Sequence, residues 1–303
     1  LHWMVHSFPT RRSSDLEEPP PPEDPYPPPP AFEPPVAYAA DWGFDPEDST
    51  EYIQAAINSG ARTVVIQNMG ADWVIKPVKF ASNQLVVFEP GVVVAAKPGS
   101  FQGPADCLMR GMIVSNVTLW GYGATLRMRR EDYIGPDYEH GQWRHCLSFQ
   151  GSDNVSILGL RCEQSGGDGI YIGAGDGIPA TNILIRDCTC DYNYRQGISV
   201  TSAQSVHIEN CVLSNTQGNP PQAGIDLECN FAGDTLSDIV VSNCVSQNNA
   251  GPGFVASLKN LTAATAPPVS VLFENCQVID CGSWSLAAVN DADTPPTAIE
   301  FRN

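Results

Sequence analysis

Apolar and polar residues alternate in a repeated pattern between residues 143 and 257. One alternating segment begins at residues 168, 196, 223 and 252, at intervals of 28, 27 and 29 residues. A second segment lies between these and ends in Cys188, Cys211, Cys244 or Cys276. Alternation with a period of two predicts short strands, and the repeat has no apolar period typical of a helix. A repeat of this length cannot bury its own apolar face, so the pattern predicts a solenoid with one β-rich coil per repeat.

Stacking of the coils assigns each position of the repeat to the inside or the outside. Equivalent positions of successive coils lie about 4.8 Å apart. The third and fifth positions then form internal apolar ladders, which contain Ile170 and Ile172, Ile198 and Val200, Ile225 and Leu227, and Phe254 and Ala256. The four cysteines fall in an internal register, each after an Asp or Asn that suits a tight corner. We expect buried thiols there, and the pair Cys162 and Cys190 leaves a disulfide open.

These features resemble the right-handed parallel β-helix of the pectin-lyase-like superfamily, which includes pectate lyases, polygalacturonases, alginate lyases and epimerases, and phage tailspikes. The resemblance rests on the D-G-I segment start, the N-C corners and the irregular repeat length, and residues 83–97 are similar to the early coils of polygalacturonase-like proteins. It implies an all-β fold, a single-stranded right-handed parallel β-helix over residues 41–303. It does not fix the activity, because this superfamily hosts several chemistries.

Residues 48–57 (DSTEYIQAAI) have a helical pattern instead. A Ser-Thr start, an acidic first turn and apolar residues on one side predict a short amphipathic helix. The resemblance implies that this helix caps the N-terminal end of the solenoid, where unpaired strand edges would otherwise favour aggregation. Strands are predicted after it at 62–66, 73–75, 84–88, 92–95, 112–114, 117–120 and 125–128.

The two ends of the chain differ from the repeats. Residues 6–16 (HSFPTRRSSDL) read as the translation of a common short-read sequencing adapter, so we assign residues 1–16 to an artefact. Residues 17–40 are rich in Pro and acidic residues and are expected to form a disordered linker. The last residues read as a strand without a cap, and we expect the solenoid to be truncated at its C-terminus.

Composition narrows the class of protein. The formal net charge is −18, which argues against general nucleic-acid binding. It fits a secreted, cell-surface or periplasmic protein, and no segment is expected to span a membrane. No C-x-x-C with a matching second pair is present, so a zinc site has little support.

An acidic pair provides the strongest chemical signal. Asp226 and Glu228 occupy outward positions of one strand, about 6.5 to 7 Å apart at the backbone. Ser199 and Thr201 lie under them in the preceding coil, and Arg195 stands just before that strand. Two carboxyl groups at this separation can serve as proton donor and as base or nucleophile in glycoside cleavage. We therefore predict that Asp226, Glu228 and Arg195 are catalytic, with Asp168 as a secondary candidate.

Further residues are candidates for substrate binding. Residues 127–144 interrupt the repeats and collect Arg and aromatic side chains, which can bind carboxylates or sulfates and stack on sugar rings. The predicted substrate-binding residues come from this loop, from the starts of the neighbouring coils and from the residues after the last outward positions. They are Trp143, Arg144, His145, Tyr171, Tyr194 and Lys259.

Three functions are compatible with this site. The first is a glycoside hydrolase that cleaves an acidic polysaccharide with the Asp226 and Glu228 pair and needs no cofactor. The second is a polysaccharide lyase, in which the acids could hold Ca²⁺ while Arg195, Tyr171 or Lys259 removes a proton. The third is a non-catalytic carbohydrate-binding or adhesion β-helix. The paired-Asp, G-H-G and R-I-K signatures of polygalacturonases and the D-P-H motif of mannuronan epimerases are absent from the sequence.

Overall fold

The chain winds into a right-handed parallel β-helix. A computed structural model describes residues 25–290 and 293–302. Each coil contributes one strand to each of three parallel sheets, in a constant order along the chain. The fold class predicted from the sequence is confirmed.

The strands of each sheet follow one another along the solenoid axis. Within the described residues, sheet 1 contains Val36–Tyr38, Thr63–Ile66, Gln84–Phe88, Ser115–Trp120, Asp153–Leu158, Ala180–Arg186, Ala203–Glu209, Leu236–Ser242, Val269–Glu274 and Thr297–Arg302. Sheet 2 contains Trp73–Ile75, Val93–Ala96, Thr125–Arg127, Arg161–Glu163, Thr189–Asp191, Val212–Ser214, Val245–Gln247 and Gln277–Ile279. Sheet 3 contains Val78–Lys79, Met109–Met112, Leu147–Gln150, Asp168–Gly173, Gln196–Val200, Ile225–Glu228, Phe254–Ser257 and Leu286–Val289.

The core consists of ladders of like residues. Ile170, Ile198, Ile225 and Phe254 stack in register along sheet 3 and are buried, as their positions in the repeat predict. Cys188, Cys211 and Cys244 are also buried, and Cys276 is partly so. All ten cysteines are free thiols, and this includes Cys162 and Cys190, which face each other in adjacent strands of sheet 2.

The corners before the cysteines have left-handed backbone. Asp187, Asn210, Asn243 and Asn275 all have φ between 51° and 57°. Asn and Asp tolerate this conformation better than other residues that carry a Cβ atom. The Asn210 amide also donates to the Asp187 carboxylate below it over 3.2 Å. These side chains therefore set the corner and link one coil to the next.

A helix, α1 (Thr50–Asn58), covers the N-terminal end of the solenoid, as the sequence predicts. Its apolar side, which carries Ile53 and Ile57, is fully buried. Its Gln54 side chain bonds to both the N–H and the carbonyl of Lys79 over 2.9 and 3.0 Å. The helix thus occupies the edge of the first strand of sheet 3 and prevents that edge from pairing with another chain. A second helix, α2 (Arg130–Tyr133), lies in the long loop before sheet 3.

Several boundaries differ from the expectations. Val36–Tyr38 pairs with Thr63 to Val65, so the solenoid begins inside the segment predicted as a linker. The strand predicted at 112–114 lies instead at Met109–Met112, because the chain turns at Ile113 with φ of 51°. The predicted artefact at 1–16 and residues 17–24 of the predicted linker lie outside the described residues. In the described part of the chain, no helix has both the length and the apolarity needed to cross a membrane.

Candidate functional site

A groove of 640 Å³ lies over the later strands of sheet 3. Asp226 and Glu228 lie at its floor, and Arg195 reaches it from the coil before. The loop before sheet 3 contributes Gln142 to one wall, where it contacts Asn219. The remaining lining residues are Pro220, Pro221, Asn230, Pro252, Val255, Ser257, Lys259, Ala287 and Val289.

The two acids share this groove but differ in exposure. In sheet 3, Asp226 stacks between Ser199 and Val255, and Glu228 stacks beside Ser257. The side chain of Asp226 is only 1% exposed, whereas that of Glu228 is 20% exposed. The sequence predicted that both acids would be open to solvent, and for Asp226 this is wrong. Two neighbours lie against its Oδ2, Arg195 Nη2 at 3.9 Å and Gln196 Nε2 at 2.8 Å.

Arg195 holds three carboxyl groups together. Its Nη2 donates to Glu228 Oε2 over 2.7 Å and lies 3.9 Å from Asp226 Oδ2, while its Nη1 lies 3.6 Å from Asp168 Oδ2. Burial lowers the pKa of Arg195, but the charges of these three acids raise it by more, so the pKa lies above its usual range. Arg195 therefore remains a cation and is placed to bind an anion, not to remove a proton.

The carboxyl group of Asp226 has its own fixed partner. Gln196 Nε2 donates to Asp226 Oδ2 over 2.8 Å, and Gln196 Oε1 accepts the N–H of Ala223 over 2.7 Å. Gln196 is completely buried. The other oxygen, Asp226 Oδ1, is buried and has no hydrogen-bond partner among the described residues.

Burial and neighbouring charge both favour the protonated form of Asp226. Removal from water raises the pKa of Asp226 well above its usual range, and the negative charge of Glu228 raises it further. Burial also raises the pKa of Asp168 to about 6, although Arg195 opposes this shift. The site thus pairs a buried acid whose pKa is raised, Asp226, with a partly exposed acid that is bound to an arginine, Glu228.

Asp168 lies beneath the groove against an aromatic stack. His145 Nδ1 accepts the N–H of Asp168 over 2.9 Å, and the His145 ring stacks on Tyr171 at 4.6 Å between centroids. Burial, with the charges of Arg195 and Arg110, lowers the pKa of His145 well below its usual range. The Tyr171 hydroxyl is hydrogen-bonded to Thr201 at 2.9 Å. His145 is therefore a neutral, buried support for this end of the site and does not line the groove.

Arg144 does not line the groove, contrary to the prediction that it binds substrate. It is completely buried, and its guanidinium donates to the carbonyls of Phe101, Gln102 and Glu139 over 2.8 to 3.1 Å. Its charge also lies over the rings of Tyr133 and Tyr138, at 5.3 and 5.7 Å. Arg144 therefore fixes the long loop that forms one wall of the groove.

The other predicted binding residues divide between wall and groove. Lys259 is exposed and lines the groove. Trp143 is 48% exposed in the loop next to Gln142. Tyr194 packs beside Arg130, with 5.9 Å between its ring and the guanidinium, outside the groove lining. The sequence analysis missed Gln196, although this residue occupies the repeat position equivalent to Asp168 and lies next to it in register.

The acids do not form a cage for calcium. Calcium binds six to eight oxygen ligands. Here the Arg195 guanidinium lies between Asp168, Asp226 and Glu228, at the place that a cation would occupy. In the described part of the chain, no group of three or more His, Cys, Asp or Glu side chains has the geometry to hold a metal ion. These residues as arranged do not fit a bound Ca²⁺.

Solved structures with the same fold are similar to this chain at low sequence identity. The tailspike protein of E. coli bacteriophage HK620, in complex with a pentasaccharide, has a TM-score of 0.63 at 16% identity over 88% of this chain and 50% of its own. An iota-carrageenase complexed to iota-carrageenan fragments has a TM-score of 0.63 at 16% identity over 84% and 56%. The tailspike gp49 of Acinetobacter baumannii bacteriophage Fri1, a capsular polysaccharide depolymerase, has a TM-score of 0.57 at 13% identity over 90% and 59%. These similarities establish the fold.

Sequence comparisons place the chain in a family. The uncharacterized protein YclG of Bacillus subtilis (strain 168) is 26% identical over 257 residues, which cover 73% of this chain and 42% of YclG. The chain thus spans less than half the length of this curated relative. The family described as the right handed beta helix region matches residues 139–301, more than half of the chain. The chain belongs to this right handed beta helix family.

Proposed function

We propose that this protein is a glycoside hydrolase that cleaves an acidic polysaccharide in the groove over sheet 3. The observation that carries the proposal is the pairing of a buried acid whose pKa is raised, Asp226, with a partly exposed acid, Glu228, along one groove. Hydrolysis of a glycosidic bond needs this combination of an acid and a second carboxylate. We also propose a secreted, cell-surface or periplasmic location, which the strongly acidic composition of the chain fits.

Each acid has a defined role in this proposal. Asp226 donates its proton to the glycosidic oxygen of the leaving sugar, which prevents charge from building up on that oxygen. Glu228 acts on the other side of the bond, either as the base that activates a water molecule or as the nucleophile. Its side chain is 20% exposed and is held by Arg195 Nη2 at 2.7 Å, which fixes its position in the groove.

In this proposal, an acidic substrate draws Arg195 away from Asp226 and so exposes that acid. In the free protein the Arg195 guanidinium binds Glu228 and lies against Asp226. A carboxylate or sulfate group on the substrate would compete for the same N–H groups. Movement of Arg195 towards the substrate would then expose Asp226 to the scissile bond. This role favours an anionic substrate over a neutral one.

Elimination has less support from the candidate bases. Arg195 is held protonated by three acids. Burial raises the pKa of the Tyr171 hydroxyl, which is hydrogen-bonded to Thr201. Of the three candidate bases Arg195, Tyr171 and Lys259, the first two are therefore not ready to remove a proton at neutral pH. Other parallel β-helices with the same overall shape carry oligosaccharides in their structures, which makes a carbohydrate substrate consistent with the fold.

Incubation with a panel of uronic, sulfated and neutral polysaccharides tests the proposal. New reducing ends without ultraviolet absorbance of an unsaturated sugar support hydrolysis. Reducing ends together with that absorbance would indicate a lyase and would overturn the proposal. Binding without cleavage of any polysaccharide would overturn it as well and would indicate a carbohydrate-binding or adhesion protein.

Variants of the acids then test their roles. We expect Asp226→Asn and Glu228→Gln each to lower kcat by about 10²- to 10⁴-fold, as for loss of a general acid or base. Glu274→Gln is the matched control, because Glu274 lies at the end of a strand of sheet 1, away from the groove, and makes no side-chain hydrogen bond in the described part of the chain. Retention of activity in both site variants, with the fold intact, would remove these residues from catalysis.

A further inference from the structure

The basic residues without an acidic partner are concentrated on sheet 3. Across residues 25–290 and 293–302, the lysines and arginines form ion pairs with carboxylates, with four exceptions: Lys79, Arg110, Arg144 and Lys259. Arg144 is buried and bonded to carbonyl groups. Lys79 and Arg110 belong to strands of sheet 3, and Lys259 lies two residues after one of its strands.

This distribution is unexpected in so acidic a chain. The formal net charge is −18, so a cation on the surface has an excess of acids with which to pair. The face in question is also the face that carries the groove.

Lys79 and Arg110 form a pair at the N-terminal end of this face. They are register partners in adjacent strands, and Arg110 is in turn the partner of Ser148. The same column continues through Tyr171 and Ser199 to Asp226. Five strand spacings separate Lys79 from Asp226, which is about 24 Å along the solenoid axis. The pair is therefore separate from the groove but lies in line with it.

The local contacts leave both cations available. Gln54 binds only the backbone of Lys79, whose side chain is exposed and makes no hydrogen bond in the described part of the chain. Arg110 Nη2 donates to the Ala105 carbonyl over 2.7 Å, which orients the guanidinium. Asp106, the acid on the same loop, accepts the N–H of Gly103 instead of pairing with Arg110. Arg110 Nη2 also donates to Cys107 Sγ over 3.1 Å, so neutral groups orient the guanidinium and no carboxylate pairs with it in the described part of the chain.

We propose that Lys79 and Arg110 form an anion-binding subsite for the carboxylate or sulfate groups of a polysaccharide that lies along sheet 3. Lys259 is the corresponding cation on the other side of Asp226, after the strand Phe254–Ser257. The subsite rests on the proposed function for its polysaccharide partner, and it extends the binding surface well beyond the groove. Arginine can bind such groups through two N–H donors and lysine as a point charge.

Binding measurements test the subsite without relying on catalysis. The probes are sodium polygalacturonate, heparin and neutral dextran, titrated at low and high salt in the Glu228→Gln background, which prevents cleavage. We expect Lys79→Ala with Arg110→Ala to weaken binding of a polyanion about tenfold at low salt, with a smaller dependence on salt. Lys79→Glu alone should also weaken binding. We expect this variant to fold normally, because the Lys79 side chain makes no hydrogen bond or ion pair in the described part of the chain.

A matched control isolates the effect of position. Lys76 is another exposed lysine, but it pairs with Asp48 at 3.0 Å and lies outside sheet 3. Lys76→Ala should leave polyanion binding unchanged. Equal losses in Lys76→Ala and Lys79→Ala, an unchanged affinity in Lys79→Glu, or no polyanion binding by the unsubstituted surface would overturn the subsite. Absence of cleavage by the protein with Glu228 in place, with these binding effects intact, would overturn the proposed hydrolase alone.

Discussion

Gln196 fixes the orientation of Asp226. Its Nε2 donates to Asp226 Oδ2 over 2.8 Å, and its Oε1 accepts the backbone N–H of Ala223 over 2.7 Å. The second bond prevents the amide from turning over, because a flipped amide would point its NH₂ group at another donor. Asp226 Oδ2 is therefore an acceptor, which leaves Oδ1 as the oxygen that can carry a proton. Gln196 is a positioning residue for the proposed proton donor.

Replacement of Gln196 with Leu should disturb this acid without touching the groove. Loss of the N–H donor removes a group that stabilises the ionised form, so the pKa of Asp226 should rise further. The orphaned N–H of Ala223 should also lower the free energy of unfolding by about 1 to 3 kcal/mol. Infrared spectroscopy of the protonated carboxyl band, assigned with Asp226→Asn, measures the pKa directly.

The control for this variant is Gln204→Leu. Gln204 is exposed on sheet 1 and its side chain makes no hydrogen bond among the described residues. An unchanged carboxyl band in Gln196→Leu, or a shift of the same size in Gln204→Leu, would contradict a role for Gln196 at Asp226.

Glu228→Gln should lower the pKa of Asp226. The negative charge of Glu228 is the second cause of the raised pKa, after burial, and the substitution removes it while keeping the shape of the side chain. The protonated carboxyl band of Asp226 should then disappear at a lower pH than in the parent protein. Glu274→Gln should leave the band in place. A band that persists to the same pH in Glu228→Gln would show that burial alone sets this pKa.

Asp168→Asn should stabilise the fold above pH 6. The pKa of Asp168 is raised to about 6 by burial, whereas an unfolded Asp ionises near 3.8, so ionisation is more costly in the folded state. Stability should fall as the pH rises from about 4 to about 6, by up to about 3 kcal/mol. The Asn variant should lack this loss. Denaturation midpoints at pH 4, 6 and 8 measure it, and identical pH dependence in both proteins would refute the assignment.

The ladders could be predicted from the sequence because the strand period and the repeat interval recur over many residues. Ile170, Ile198 and Ile225 are buried as predicted, since a shift of one residue in any coil would expose its whole apolar set. The helix at the N-terminal end was equally visible from its period. The strand at Met109–Met112 was missed because Gly111 interrupts its apolar pattern, although the gap is filled by Phe149 from the next coil.

The site was only partly predictable, because its important contacts join different coils. The register predicted that Asp226 and Glu228 lie on one face. It did not predict that Arg195 contacts both acids, because the direction of a side chain leaves no signal in the sequence. Arg144 was expected to bind substrate because it is a charged residue in a long loop. Only the fold brings the carbonyls of Phe101 and Gln102 around it.

Arg144→Leu and Lys259→Ala should separate support of the groove from binding in it. Loss of the Arg144 guanidinium leaves three carbonyl groups without their donor and removes its contacts with Tyr133 and Tyr138. We expect a loss of about 3 to 5 kcal/mol in unfolding free energy and faster proteolysis within residues 129–143.

Lys259→Ala should behave in the opposite way. Lys259 is exposed in the groove and makes no ion pair in the described part of the chain, so its removal should change stability by less than about 0.5 kcal/mol. Its effect should be a higher KM for anionic substrate that grows as salt is lowered. Chemical denaturation and steady-state kinetics on the same preparations distinguish the two variants. If Arg144→Leu kept full stability while raising KM, Arg144 would be a binding residue as its sequence context suggested, and the loop would need another anchor.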